Sequence, residues 1–310
     1  MQWQHNKGTK GKIKGGSILA EKKHTFSETS IIIRRCYNDK NNKKEHRIHS
    51  NEGHEIFLLL QGDVSFSIDG NIYKIKPQDL LLISNKEIHR PIVNTEVPYE
   101  RMYIYFDPDF FAQFSSHAYD LLQMFENRRL GFGNKIDSKI VEEYKIYDDF
   151  LEIHNWYQSK APERQTMMIS ILLQLLVKIN RICNENTFAF EKVKEDLGYN
   201  EKIYQIIRYI SSHLNRKISL DELESKFYIN KYHLCHLFKK ITGFTILEYI
   251  NYKKVLEARE KLKKGISVSD VWIHLGFEDY SSFYRAFKKI TGLSPKEYLD
   301  SSINKFKKES

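Results

Sequence analysis

The hexapeptide FKKITG occupies residues 238–243 and recurs letter for letter at residues 287–292. Further along, Glu248-Tyr249-Ile250 is matched by Glu297-Tyr298-Leu299 at the same offset. Upstream, Ile218-Ser219-Leu220 corresponds to Ile266-Ser267-Val268, with one extra residue in the second copy near Gly276. The last third of the chain therefore contains two tandem copies of one supersecondary unit.

Each copy has the pattern of a helix-turn-helix. In the first, Ser219 and Glu222 predict a capped helix start, and Asn230 caps a second helix that ends at Gly243. In the second copy, Ser267 and Asp279 open the two helices, with the turn at Gly276. A leading helix over 203–214 is expected, and Thr245 with Glu248 predicts a long helix, ending near Leu262, that joins the units.

The distribution of charge indicates a polyanionic partner for this region. The chain carries a formal net charge of +9, and residues 200–310 hold 21 Lys and Arg against 13 Asp and Glu, which gives +8. A single helix-turn-helix pattern with a solvated polar face would more often be an ordinary helical hairpin. Two copies together with the local positive charge favour double-stranded DNA as the partner.

The rest of the chain divides into four segments. Residues 1–26 form a basic arm and residues 27–110 have short strand patterns, including a hairpin signal at Asp69-Gly70. Residues 111–183 have helical spacing, with expected helices over 110–125, 138–157 and 163–183, and residues 184–200 have the composition of a linker. With the DNA-binding region at 201–302, the fold class is a multidomain α+β protein: β-barrel or sandwich, helical segment, all-α domain.

The helix expected over 163–183 is apolar around most of its circumference, from Met167 to Ile182. Such a helix is buried on several sides, either inside its own domain or against a second copy of the chain. The sequence leaves internal core and homodimer interface open as alternatives.

Three separated cysteines, Cys36, Cys183 and Cys235, argue against a disulfide framework. The N-terminus lacks the apolar stretch of a signal peptide, and the apolar run 167–182 is broken by polar residues. These features predict a cytoplasmic protein that is not bound to a membrane.

Residues 203–299 resemble the DNA-binding domain of the AraC/XylS family of transcription regulators. The most specific part of the match is Gly276-Phe277-x-x-x-Ser281-x-Phe283-x-Arg285-x-Phe287-Lys288-x-x-x-Gly292-x-Ser294-Pro295-x-x-Tyr298. The resemblance implies that one chain places two recognition helices in successive major-groove segments. It also implies RNA polymerase as a partner if the protein is an activator.

The resemblance assigns roles to residues on both recognition helices. The base-contact candidates are Tyr232, Cys235 and His236 in the first helix and Tyr280, Ser281, Tyr284 and Arg285 in the second. The phosphate-contact candidates are Lys231, Lys239, Lys240, Lys254, Lys288 and Lys289. His236 stands where the family usually has Arg, so the second helix is expected to contribute more to specificity; Lys253 and Trp272 also depart from the family pattern.

Residues 27–107 resemble the cupin-type barrel that serves as sensor domain in such regulators. His49, Glu55 and His89 are then candidates for binding a small-molecule effector, with a sugar as first expectation; the alternative is that they are surface residues without such a role. Cupin enzymes use an HxH pair, a Glu and a later His as metal ligands, but here Asn51 replaces the second His. We expect a regulator without catalytic activity, metal or cofactor; the alternative is a metal-dependent cupin enzyme fused to a DNA-binding module.

Overall fold

The N-terminal domain contains two antiparallel sheets. The computed structural model describes residues 30–38, 53–94, 96–185 and 201–300. Within these residues the domain has eight strands: β1 Ile31–Asn38, β2 His54–Gln61, β3 Val64–Ile68, β4 Asn71–Ile75, β5 Leu80–Ile83, β6 His89–Val93, β7 Tyr99–Phe106 and β8 Lys135–Ile136. One sheet has the order β1-β7-β2-β5-β8 and the other the order β4-β3-β6. This is the β-rich, cupin-like domain that the sequence predicts, with two facing sheets that share no paired strand among the described residues.

Side-chain alternation along β2 separates two cores. Ile56 and Leu58 point to the helices that follow the sheet, whereas Phe57 and Leu59 point to the space between the sheets. The hairpin predicted at Asp69-Gly70 is confirmed. Both residues have positive φ, 43° and 87°, which is the geometry of a two-residue hairpin turn.

The helical segment contains more breaks than its apolar spacing predicts. Its helices are α1 Pro108–Ala112, α2 Gln123–Glu126, α3 Ser138–Glu143, α4 Ile146–Gln158 and α5 Arg164–Glu185. The single helix expected over 110–125 is wrong, because a turn closed by the Ser115 hydroxyl and the Leu121 amide separates α1 from α2. The helix expected over 138–157 is interrupted at Lys145, whose φ is 54°.

Helix α5 packs against the five-stranded sheet and α4. Met168, Leu172, Leu175 and Ile179 are buried in the same core as the outer face of that sheet. By length and composition α5 could cross a membrane, but half of its most apolar window is buried inside the protein. It is a core helix of the sensor domain, which supports the first of the two sequence alternatives.

The C-terminal domain consists of the leading helix and two helix-turn-helix units. Its helices are α6 Glu201–Ser212, α7 Leu220–Phe227, α8 Lys231–Thr242, α9 Ile246–Lys263, α10 Val268–His274 and α11 Tyr280–Thr291, and residues 295–300 are also helical. The predicted caps are confirmed: the side chains of Ser219, Asn230, Thr245, Ser267 and Asp279 accept hydrogen bonds from the first turns of their helices. Local sequence alone therefore sets most helix boundaries here.

Helix α9 joins the two units. Ile246, Tyr249 and Ile250 belong to the core of the first unit, whereas Val255 and Leu262 belong to the core of the second. One continuous helix, with apolar residues in both cores, thus fixes the two units relative to each other.

The two units also meet directly at Gly276, in the turn between α10 and α11. Its φ is 58°, and a Cβ there would lie 2.4 Å from the Cα of Arg216. Only glycine combines that backbone conformation with so close an approach. The contact limits relative movement of the units.

Candidate nucleic-acid interface and effector pocket

Helices α8 and α11 are the second helices of the two units, and each buries one face. Leu234, Phe238 and Ile241 of α8 lie in the core of the first unit. Phe283 and Phe287 of α11 lie in the core of the second, with ring centroids 5.6 Å apart. The three- and four-residue spacing of these apolar side chains turns the opposite face of each helix to solvent.

The outer face of α8 carries the base-contact candidates of the first unit. Tyr232 is 78% exposed, His236 is exposed and Cys235 is half-buried against the core. Tyr232 and His236 share the solvent face one helical turn apart. They can reach a groove without rearrangement of the helix.

The outer face of α11 is richer in hydrogen-bonding groups. Tyr280, Ser281 and Arg285 are exposed, and Tyr284 is half-buried. The Tyr280 and Tyr284 rings lie 6.2 Å apart, and the Arg285 guanidinium donates one long hydrogen bond of 3.3 Å to the Ser282 hydroxyl. Most of the five N–H donors of Arg285 therefore face solvent.

Four of the phosphate-contact candidates occupy equivalent positions in the last turns of α8 and α11. Lys239, Lys240, Lys288 and Lys289 are all exposed. Lys231, at the start of α8, is held in an ion pair of 2.8 Å with Asp221, and the Asp221 carboxylate raises its pKa. Lys231 has to exchange this partner before it can meet a phosphate.

The expectation for Lys254 is corrected by its position in the structure. Its side chain is 4% exposed, and its ammonium donates hydrogen bonds to the carbonyl oxygens of Gly276, at 2.7 Å, and Arg216, at 3.2 Å. Burial lowers its pKa to about 8. Lys254 ties the two units together from inside the domain and does not face a phosphate. Sequence spacing did not reveal this, because the partners are backbone carbonyls of other segments.

Two of the three effector-binding candidates meet between the sheets of the sensor domain. Glu55 is on the same face of β2 as Phe57 and Leu59, and His89 is paired with Ile68 across β3 and β6. The Nε2 atom of His89 lies 3.2 Å from Oε2 of Glu55, and its Nδ1 lies 3.3 Å from the carbonyl oxygen of Glu87. The third candidate, His49, lies outside the described residues.

The environment of His89 favours its charged form. Burial opposes protonation of the imidazole, but the hydrogen bond and the negative charge of Glu55 outweigh it and raise the pKa of His89. With both ring nitrogens protonated, His89 can donate to Glu55 and to the Glu87 carbonyl at once. With His89 protonated, the two side chains form a buried ion pair between the sheets.

Strand β7 adds polar side chains to this interior that the sequence analysis did not single out. Met102, Ile104 and Phe106 face the helices, so the alternate residues Tyr99, Arg101, Tyr103 and Tyr105 face the space between the sheets. Arg101 donates a hydrogen bond to Asn38, and its guanidinium lies 4.4 Å from the Tyr99 ring centroid. The alternation in residues 99–106 was the signal that could have revealed them.

The described residues offer no metal site of the cupin kind. Within them, no three His, Cys, Asp or Glu side chains converge in a way that could hold a metal ion. Glu55 and His89 instead bind each other.

Two outward recognition helices on a shared connecting helix, beside a ligand-binding β domain, define a DNA-binding transcription regulator with a sensor domain. Comparisons with known proteins agree. The profile of an AraC-like ligand binding domain matches residues 32–176, and that of a helix-turn-helix domain matches residues 223–301.

Among curated relatives, the HTH-type transcriptional activator AarP of Providencia stuartii is 32% identical over 97 residues, which is 31% of this chain and 72% of that protein. The arabinose operon regulatory protein of Escherichia coli is 23% identical over 250 residues, 80% of each chain. Among solved structures, ToxT of Vibrio cholerae in its apo form shares 12% identity and a TM-score of 0.38 over 88% of this chain and 97% of that chain. This protein belongs to the AraC family of transcription regulators.

Proposed function

We propose that the protein reads its operator through the outer faces of α8 and α11, with α11 dominant. The observation that carries this proposal is the exposure of Arg285, whose guanidinium is free to present two parallel donors to one guanine. Tyr280, Ser281 and Tyr284 surround it, and Tyr232, Cys235 and His236 take the equivalent role in α8. Lys231, Lys239, Lys240, Lys288 and Lys289 contribute affinity through phosphates and carry no base information.

The test is selection of preferred sites from random double-stranded DNA by the purified full chain. A bipartite motif is expected, with both parts on one face of the duplex and about one helical turn apart. Absence of any enriched motif at low salt would contradict the proposal. The genes beside the genomic copies of the motif would then identify the regulated process.

We further propose that a small polar effector binds between the sheets beside Glu55, His89 and, outside the described residues, His49. A buried ion pair is costly to desolvate, and ligand hydroxyl groups can hydrogen-bond to it. A carbohydrate fits this chemistry, since tyrosine rings and Arg101 line the same interior. The relative from Escherichia coli is, by its name, the regulator of an arabinose operon.

A thermal-shift screen of sugars and sugar acids tests this pocket. A binding sugar stabilises the wild-type chain, and Glu55→Ala abolishes that shift because it removes the acceptor that orients His89. An equal shift in Glu55→Ala would place the ligand elsewhere.

The remaining properties extend the same proposal. The protein acts by binding, without catalysis and without metal or cofactor, in the cytoplasm. It functions as a homodimer through the segment 111–183 and contacts RNA polymerase where it activates. Metal analysis of the purified chain separates this from the cupin-enzyme alternative, because stoichiometric iron, manganese or zinc would favour the enzyme.

A further inference from the structure

The sensor domain and the first helix-turn-helix unit share a buried interface. Ile88, just before β6, is part of the hydrophobic core of the first unit. Gly70, in the β3–β4 turn, lies against Ile207 of α6 so closely that a Cβ there would overlap the Ile207 side chain. The guanidinium of Arg129 lies 3.9 Å from the ring centroids of both Phe132 and Tyr204, the second of which is on α6.

The polar centre of this interface is an ion pair between the two domains. The Asp69 carboxylate accepts hydrogen bonds from the Tyr249 hydroxyl, at 2.7 Å, and from the Lys253 ammonium, at 2.8 Å. Lys253 also donates to the carbonyl oxygen of Lys86, at 3.0 Å. Asp69 is 2% exposed and Lys253 5%. Asp69 belongs to the sensor domain, and Tyr249 and Lys253 belong to α9.

This arrangement explains why a lysine stands at position 253. The contact with the sensor domain buries Lys253, and an unpaired ammonium in that interface would be strongly destabilising. Asp69 supplies the matching charge only when the two domains are in contact. The pair therefore favours this orientation of the first unit on the sensor domain over others that would bury either charge without its partner.

The three-stranded sheet separates the Glu55–His89 pair, the proposed effector site, from the first unit. On the three-stranded sheet, Ile68 and His89 face the interior. Their neighbours Ser67 and Arg90 are paired with each other and face the end of α8: the Ser67 hydroxyl donates to the Ile241 carbonyl at 3.0 Å, and Arg90 covers Gly243. Side chains one position apart thus contact the pocket and the DNA-binding domain.

The segment 86–89 connects the Glu55–His89 pair directly to the Asp69–Lys253 ion pair. His89 is paired with Glu55 in the pocket, whereas the carbonyl of Ile88 accepts the Asp69 amide at 2.8 Å and the carbonyl of Lys86 accepts from Lys253. Within these four residues, a displacement of His89 shifts the acceptors that hold Asp69 and Lys253. Glu87, between them, accepts hydrogen bonds from Arg128, at 2.5 Å, and from the Gly131 amide, at 2.6 Å, which hold the middle of the segment against residues 128–131.

We propose that Asp69, Tyr249 and Lys253 form an interdomain latch that fixes the first helix-turn-helix unit on the sensor domain, and that the Glu55–His89 pair controls this latch through residues 86–89. The controlling part rests on the proposed role of that pair in effector binding; the latch itself does not. Since the outer face of α8 stays exposed with the latch closed, the latch acts by orienting the first unit and not by covering its recognition face.

The latch is tested by hydrogen exchange of the full chain, without DNA or ligand. Asp69→Asn and Lys253→Met each leave one buried charge without its partner, so exchange in residues 66–72 and 246–253 is expected to accelerate about tenfold. The double variant Asp69→Asn/Lys253→Met removes both charges and is expected to exchange more slowly than either single variant. Asp109→Asn is the matched control, because Asp109 is also near a lysine of α9, Lys263 at 4.0 Å, but is exposed; it should change nothing.

Tyr249→Phe supplies a second test if Asp69→Asn does not fold. It keeps the buried ring and removes one donor, so the same peptides should exchange several-fold faster. Rates within twofold of wild type in Lys253→Met and Tyr249→Phe would overturn the latch. If the effects of Asp69→Asn and Lys253→Met on exchange simply add in the double variant, the two charges do not interact. That result would overturn the ion pair as the basis of the latch.

Transmission from the pocket is tested with Glu55→Gln, which removes the charge that holds His89. Exchange in residues 246–253 is expected to change at least threefold in the wild-type background and to stay unchanged in the Asp69→Asn background. The α11 peptide 280–291 serves as an internal reference. An equal effect in both backgrounds, or none in the wild type, would overturn control by the pocket while leaving DNA binding itself untouched.

Discussion

The dependence of DNA affinity on salt follows from the exposed lysines of the two recognition helices. Lys239, Lys240, Lys288 and Lys289 are exposed at the last turns of α8 and α11, whereas Lys231 is held by Asp221 and Lys254 is buried. If each of the four exposed lysines neutralises one phosphate, the plot of log K against log salt has a slope of about −3.6. Affinity for one site then falls about 150-fold between roughly 50 and 200 mM salt.

The perturbation is Lys240→Ala, with Lys289→Ala as its counterpart in the second unit. Each removes one phosphate contact, so the slope should become about −2.7 and the loss of affinity should be the same for all sequences. Fluorescence anisotropy with a short labelled duplex containing one site measures the slope at several salt concentrations. The matched control is Lys76→Ala, an exposed lysine of the sensor domain. An unchanged slope in Lys240→Ala, or an equal change in Lys76→Ala, would refute this reasoning.

Three further outcomes are expected. Arg285→Ala relaxes sequence preference in one part of the operator by about 1–3 kcal/mol, and His236→Ala has less effect in site selection because imidazole lacks two parallel donors; the reverse order would contradict the ranking of the helices. Residues 195–310 alone fold and bind DNA, and a folded fragment without a gel shift at low salt would contradict this. Lys254 has a pKa of about 8 in the folded chain against 10.5 normally. Between these values the unfolded chain holds a proton that the folded chain has lost, so Lys254 adds stability as pH rises. Urea titrations at several pH values should show that the unfolding free energy of Lys254→Met lacks this rise with pH. The same pH dependence in the variant and the wild type would contradict the prediction.

Features encoded by neighbouring residues could be predicted from the sequence. The capping side chains, the Asp69-Gly70 hairpin and the glycine that ends α8 all depend on contacts within four residues. The solvent faces of α8 and α11 follow from apolar spacing alone. For these reasons both helix-turn-helix units and their outward faces could be predicted from the sequence, whereas the base-contact roles on those faces rest on the family resemblance.

Features that depend on distant partners could not be predicted. Strand β6 contains Arg90 and Pro91, which hide its strand character, and it forms because β3 offers a pairing edge. The break between α1 and α2 could not be predicted from apolar spacing, because Phe110 and Phe125 reach the same core from two separate short helices. Lys253 and Lys254, adjacent in sequence, serve different segments, and only the fold shows which.

Helix α9 limits which insertions and deletions the DNA-binding domain can accept. Its first half is locked into one unit and its second half into the other. Inserting one residue between the halves would turn α11 by about 100° relative to α8 and shift it by about 1.5 Å, which takes it out of phase with the DNA groove. Length changes in this helix are therefore excluded, since even a whole turn would move the second unit by about 5.4 Å and break its contact with Arg216 at Gly276. If the proposed operator contacts are right, new operators are accessible through substitutions on the outer faces of α8 and α11, while the separation of these two faces stays constant.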